Sequence, residues 1–93
     1  MAFAFVMDFA GGTVEQYDRV ISKMGLTPNG QSAPNSLFHW CAKSDTGLRV
    51  VDVWETQEAF NAFAESQIGP LTAAEGLDAP VVTAYEVHNY LRA

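Results

Sequence analysis

Residues 36–55, SLFHWCAKSDTGLRVVDVWE, place a histidine, a cysteine and an aspartate among apolar neighbours, with a tryptophan on either side of the turn. The alternation predicts two strands, about 36–43 and 48–55, joined by Ser44-Asp45-Thr46-Gly47. A four-residue loop ending in a left-handed glycine sets Lys43 against Leu48. His39 then faces Asp52, Cys41 faces Val50 and Leu37 faces Trp54, all six on one side of the sheet. Directly opposed Cβ atoms lie about 5 Å apart. Phe38, Trp40, Ala42, Arg49, Val51 and Val53 take the other side. A three-residue loop with a glycine bulge would separate His39 from Asp52.

A carboxylate beside an imidazole fixes its tautomer and strengthens it as a base, so His39 could take a proton from a weakly acidic substrate with Asp52 as its orienter. Trp54 and Leu37 alongside would stack on a flat guest and exclude water. The competing reading is structural, because a cross-strand His–Asp pair is also how a sheet satisfies two polar side chains on a buried face. Tyr17 and His88 are secondary proton donors; core packing competes for the first and a bond across a subunit seam for the second. Cys41 reads as a plain buried thiol. Arg49 could clamp an anion, but a surface ion pair is the simpler use. No His-x-His or Glu-x-x-His spacing supports a metal site, so no metal is expected.

The elements that must position these residues follow from the pattern. Residues 2–9 suit a buried strand ended by Gly11-Gly12, and Thr13 with Gln16 makes a capping box. Val14, Tyr17, Val20, Ile21 and Met24 then recur at helical spacing until Gly25. Residues 25–35, GLTPNGQSAPN, form a loop long enough for a lid. Thr56 caps a second helix with Ala59, Phe60, Phe63, Ala64 and Ile68 as its apolar stripe, and Gly69-Pro70 is expected to break or bend it. Residues 81–91 read as a last strand. The order βαββαβ implies a ferredoxin-like α+β fold: a four-stranded antiparallel sheet with both helices on one face, in a single domain over residues 1–93.

The chain is 48% hydrophobic, a surplus for 93 residues that predicts a homodimer hiding the second face of the sheet. A net charge of −6 argues against nucleic acid and anionic membrane as partners. The start, MAFAFVMDFA, lacks a basic region and a cleavage site and is too short to span a bilayer. With one cysteine and no possible internal disulfide, the cytoplasm is the expected location.

The runs GGTVEQYDRV, LFHWCA, GLRVVDVWETQEAFNAF, GP and YEVHN resemble small dimeric α+β barrel proteins, the broad group that includes antibiotic-biosynthesis monooxygenases and related stress-responsive and cyclase proteins. DVWETQEAFNAF carries the most specific part of the resemblance. It implies subunits whose sheets pack into a dimeric barrel, with ligand pockets between sheet and helices, and it puts Trp54 where the group commonly has a pocket tryptophan. The histidine by which haem degraders are recognised, on the second helix or its loop, has no counterpart here. No Asn–Trp–Tyr–Arg set is placed on the chain. The implied activity is a cofactor-independent monooxygenase or cyclase acting on a small aromatic or polyketide-type enolisable substrate. The alternative is a non-catalytic small-molecule-binding or structural homodimer.

Overall fold

The computed structural model describes residues 1–91. Strand β1 (Phe3–Ala10) leads to helix α1 (Val14–Lys23), then to the hairpin of β2 (Ser36–Ser44) and β3 (Gly47–Trp54). Helix α2 (Gln57–Phe63) runs through a π-helical turn (Ala64–Ile68) into α3 (Gly69–Ala74), and β4 (Val81–Glu86) follows. The sheet order is β2-β3-β1-β4, all neighbours antiparallel. This is the expected ferredoxin-like arrangement.

Alternation decides the two faces. Phe5, Met7 and Phe9 of β1 and Leu48, Val50 and Trp54 of β3 turn toward the helices and are buried. They meet Phe60 and Ile68, and the Phe5 and Phe60 rings stack with centroids 3.8 Å apart. A buried side chain of this size contributes roughly 1.5–3 kcal/mol. On the opposite face Phe38, Trp40, Val81 and Tyr85 remain 40–70% exposed. Arg49 pairs there with Asp8 across β3 and β1 (Nε to Oδ1, 2.8 Å), a surface ion pair whose partner on β1 the sequence did not indicate.

The hairpin has the expected register but a tighter turn. His39 faces Asp52, Cys41 faces Val50 and Lys43 faces Leu48, yet pairing continues to Ser44 and Gly47, leaving only Asp45-Thr46 between the strands. Gly47 adopts φ 153°, and a Cβ there would lie 2.2 Å from the Phe9 carbonyl oxygen. The Gly11 amide also donates to the Thr46 carbonyl at 2.7 Å, so the turn is clamped onto the end of β1. At the other end of the hairpin the expectation fails. A bulge between Ser36 and Phe38 makes Ser36, rather than Leu37, the partner of Trp54.

Two further expectations need correction. Of the break or bend expected at Gly69-Pro70, the break does not occur, and helical backbone runs on with a change of helix type at Gly69. Within an α-helix a proline loses one backbone bond and crowds the carbonyl four residues back. Here the preceding turn widens, with the Gly69 amide donating to the Ala64 carbonyl, and Pro70 enters the first turn of α3. The last strand stops at Glu86 instead of 91. Glu86 faces Phe3, the first residue of β1, and just past it the Val87 amide donates to the Ala2 carbonyl at 2.9 Å.

Candidate functional site

Helix α1 is anchored at both ends of its exposed face. The Thr13 hydroxyl caps the Gln16 amide while the Gln16 side chain returns to the Thr13 amide, as the sequence indicates. Gln16 also donates to the Glu75 carbonyl at 2.9 Å, and the Glu75 carboxylate accepts from Arg19 (2.6 Å) and Lys23 (3.1 Å). These contacts tie α1 to the end of α3. The neighbouring stripe of α1, Tyr17, Val20, Ile21 and Met24, therefore faces the sheet across a cavity of about 720 Å³.

Into this cavity the hairpin delivers its polar pair. The His39 Nδ1–H donates to Asp52 Oδ1 at 2.5 Å, and the Trp54 Nε1–H donates to Asp52 Oδ2 at 3.0 Å. Asp52 is only 3% exposed, so both carboxylate oxygens are used where water is scarce. Trp54 has no acceptor to offer, and its ring is wedged against Phe63 (centroids 5.2 Å apart) and Phe60 (6.2 Å). The indole thus fixes the carboxylate, and the carboxylate fixes the imidazole. With the proton on Nδ1, His39 Nε2 of the neutral ring is an acceptor, and the Tyr17 hydroxyl donates to it. The Tyr17 and His39 rings lie nearly parallel, 12° apart.

Tyr17, His39, Asp52 and Trp54 therefore form one hydrogen-bonded chain from helix to core, and all four line the cavity. Burial, followed by the electrostatic influence of Cys41, Asp52 and Asp18, raises the Tyr17 phenol above its ordinary pKa and keeps its O–H. Burial, followed by Asp18, pushes the Cys41 thiol to about 11, as suits an unreactive cysteine in the wall. Among the described residues no lysine or arginine lines this cavity or the adjoining one of about 430 Å³ between the long loop and α2. Nor do three or more His, Cys, Asp or Glu side chains gather there as a metal-ligand set.

The outcome for the sequence candidates is uneven. His39 and Asp52 come together as expected. Trp54 lines the cavity, but only 2% of it is exposed and its ring is core packing, so its main contact is the bond to Asp52 rather than an open stacking wall. Tyr17 contacts His39 directly. Leu37 lies in the bulge outside the lining, where Ser36 takes its place, and His88 is exposed beyond the end of β4, also outside the lining. Leu26–Ala33 of the long loop form one wall, and Thr72 of α3 and Asp18 of α1 complete the site. Only the loop carried a sequence signal, its length.

No protein-family model matches the chain, and no curated protein matches it. Solved structures do. A provisionally assigned antibiotic-biosynthesis monooxygenase from Chloroflexus aurantiacus J-10-fl superposes with a TM-score of 0.62 at 15% identity, covering 97% of each chain. Another provisional assignment of that kind, from Deinococcus radiodurans, gives 0.62 at 12% identity over 100% of this chain and 98% of its own. An asparagine-to-alanine mutant of SnoaB, a cofactor-independent oxygenase from Streptomyces nogalater, gives 0.58 at 17% identity over 99% and 96%. At such identities the likeness speaks for architecture: this chain has the βαββαβ ferredoxin-like α+β fold of the antibiotic-biosynthesis monooxygenases.

Proposed function

We propose that the cavity between α1 and the sheet is the active site of a cofactor-independent oxygenase or cyclase acting on a small, flat, enolisable or phenolic molecule of the aromatic polyketide type. The observation that carries this is an imidazole backed by a buried carboxylate, His39–Asp52, on the wall of a cavity of about 720 Å³. Ligand sites of roughly 300–1,000 Å³ hold molecules of this size. SnoaB, of the same fold, is a cofactor-independent oxygenase. In such chemistry the substrate supplies the electrons. A proton leaves the substrate for His39, the resulting carbanion forms a C–O bond with dioxygen, and the peroxide anion takes the proton back from the imidazolium to give a hydroperoxide. Loss of water from a CH–OOH carbon leaves a carbonyl. A cyclase would use the same base to form a C–C bond instead. Asp52 stabilises the imidazolium, and the apolar walls of Met7, Phe9, Val50 and Leu48 keep water from the anion.

The functional unit in this reading is a homodimer, two copies covering each other's exposed Phe38, Trp40, Val81 and Tyr85. The reading also places the protein in the cytoplasm, where Cys41 stays a free thiol. No helix of the described residues is long and apolar enough to cross a membrane.

The test is dioxygen uptake by purified protein with anthrone, naphthol and enolic diketone substrates and no added cofactor, together with its mass in solution. Uptake matched to product, lost in His39→Ala with folding retained, supports an oxygenase. A ring-closed product formed without uptake supports a cyclase. A second reading, a binding module without chemistry, rests on the completeness of the polar chain, in which every member is already satisfied. Tight binding with neither reaction would favour it.

A further inference from the structure

Both nitrogens of the proposed base are occupied before any guest arrives. Nδ1 is bonded to Asp52, and Nε2 accepts from the Tyr17 hydroxyl. A substrate in the cavity meets that hydroxyl on its way to His39. The Tyr17 oxygen donates its hydrogen inward and keeps a lone pair that the His39 bond does not use. From this geometry we infer that Tyr17 is the residue that receives the substrate's hydroxyl group, and that the proton reaches His39 through it. The inference rests on the proposed reading of the site and names the group that does its first step.

The transfer balances. The substrate O–H bond breaks and an O–H bond forms on Tyr17, while the original Tyr17 O–H bond breaks and an N–H bond forms at His39 Nε2. The substrate is left as an oxyanion accepting a hydrogen bond from Tyr17, and the positive charge is on the imidazolium that faces Asp52. Tyr17 ends as it began, a neutral phenol, which agrees with the burial that disfavours its ionised form. The geometry also defines the ligand class. The guest must carry a hydrogen-bond-donating O–H, and because neither cavity is lined by a lysine or arginine among the described residues while Asp18 lines the larger one, it must otherwise carry no negative charge.

Binding of 1-naphthol and of naphthalene to the wild-type protein, Tyr17→Phe and His39→Gln separates the possibilities without requiring turnover. The wild type should prefer naphthol, and Tyr17→Phe should reduce that preference about 3- to 10-fold, the worth of one neutral hydrogen bond, with naphthalene affinity unchanged. On any substrate that consumes dioxygen, Tyr17→Phe should lower kcat at least about 10-fold, water carrying the residual transfer. A naphthol preference that survives Tyr17→Phe but disappears in His39→Gln overturns the inference, because the hydroxyl then docks on the imidazole. Failure of both aromatics to bind at their solubility limits overturns it as well. Tyr17-dependent naphthol binding with neither oxygenation nor cyclisation of any substrate would instead remove the proposed reaction and leave the docking group in place.

Discussion

Asp52→Asn tests the polar chain at the point where all its directions are set. The substitution keeps the shape but turns one of two acceptors into a donor. Trp54 Nε1–H, 3.0 Å from Oδ2, can only donate, and Phe60 and Phe63 hold its ring in place. The amide oxygen must therefore stay with Trp54, and the NH₂ group faces His39 Nδ1. Two donors cannot meet there, so the imidazole moves its proton to Nε2 and donates to the Tyr17 oxygen. The Trp54 bond keeps its direction and the two bonds of His39 reverse, so Nε2 no longer has a lone pair to receive a proton. In energy, two charge-assisted bonds of roughly 1.5–3 kcal/mol become neutral ones of roughly 0.5–1.5. The amide costs less to bury than the carboxylate, which offsets part of this. The net loss should be about 1 kcal/mol, or about 4–8 °C in Tm for a domain of this size. Turnover, where the wild type shows it, should fall roughly 10²- to 10⁴-fold, the usual contribution of a general base. Nitrogen-15 NMR of the imidazoles reads the tautomer directly, with exposed His88 as the reference. A wild-type His39 that already carries its proton on Nε2 would refute this order of donors, as would an Asp52→Asn protein that leaves it on Nδ1.

The remaining predictions reach other parts of the molecule. Because the Cys41 thiol is pushed up to about 11, its thiolate is scarce at neutral pH; iodoacetamide at pH 8 should modify it roughly 100-fold more slowly than the unfolded chain, with the rate rising about tenfold per pH unit up to that value. A carboxylated analogue of any neutral guest should bind at least about 10-fold more weakly, since no lysine or arginine among the described residues lines either cavity; equal affinity in a competition titration would contradict the mapped lining. Gly47→Ala should cost about 3 kcal/mol or more in denaturant unfolding, its Cβ meeting the Phe9 carbonyl oxygen at 2.2 Å and the Gly11 amide nitrogen at 2.7 Å.

The sequence carried the central pair because it rests on local rules. Two-residue alternation fixes which side chains share a face, and the hairpin turn fixes which oppose each other. Even a turn tighter than expected left His39 across from Asp52, since pairing through Ser44 and Gly47 keeps the same register. Leu37 was lost to a bulge at the start of β2, next to Asn35 with its positive φ of 70°, where the alternation is broken by backbone geometry that composition does not encode. His88 depended on strand length, and β4 pairs only as far as β1 offers partners. Trp54 was legible as an inward residue. Whether its ring lines an open wall or fills the core depends on Phe60 and Phe63 arriving from another element.

Tyr17 shows where local rules stop. Its helical stripe places it toward the sheet, but contact with His39 requires the rotation of α1 to be set to within a fraction of a turn. That rotation is set on the far side of the helix, by Gln16, Arg19 and Lys23 converging on Glu75. Exposed ion pairs of this kind contribute little to stability and are weakened by salt. Their value here is orientational: the Glu75 carboxylate is held below its ordinary pKa by hydrogen bonds from Arg19 and then Lys23, so it remains a charged anchor down through the usual carboxylate range and lets go only as the pH falls further. Glu75→Ala, outside the cavity lining, should therefore loosen the Tyr17–His39 contact and reduce the preference for naphthol over naphthalene; an unchanged preference would show that the buried Val20 alone holds the rotation.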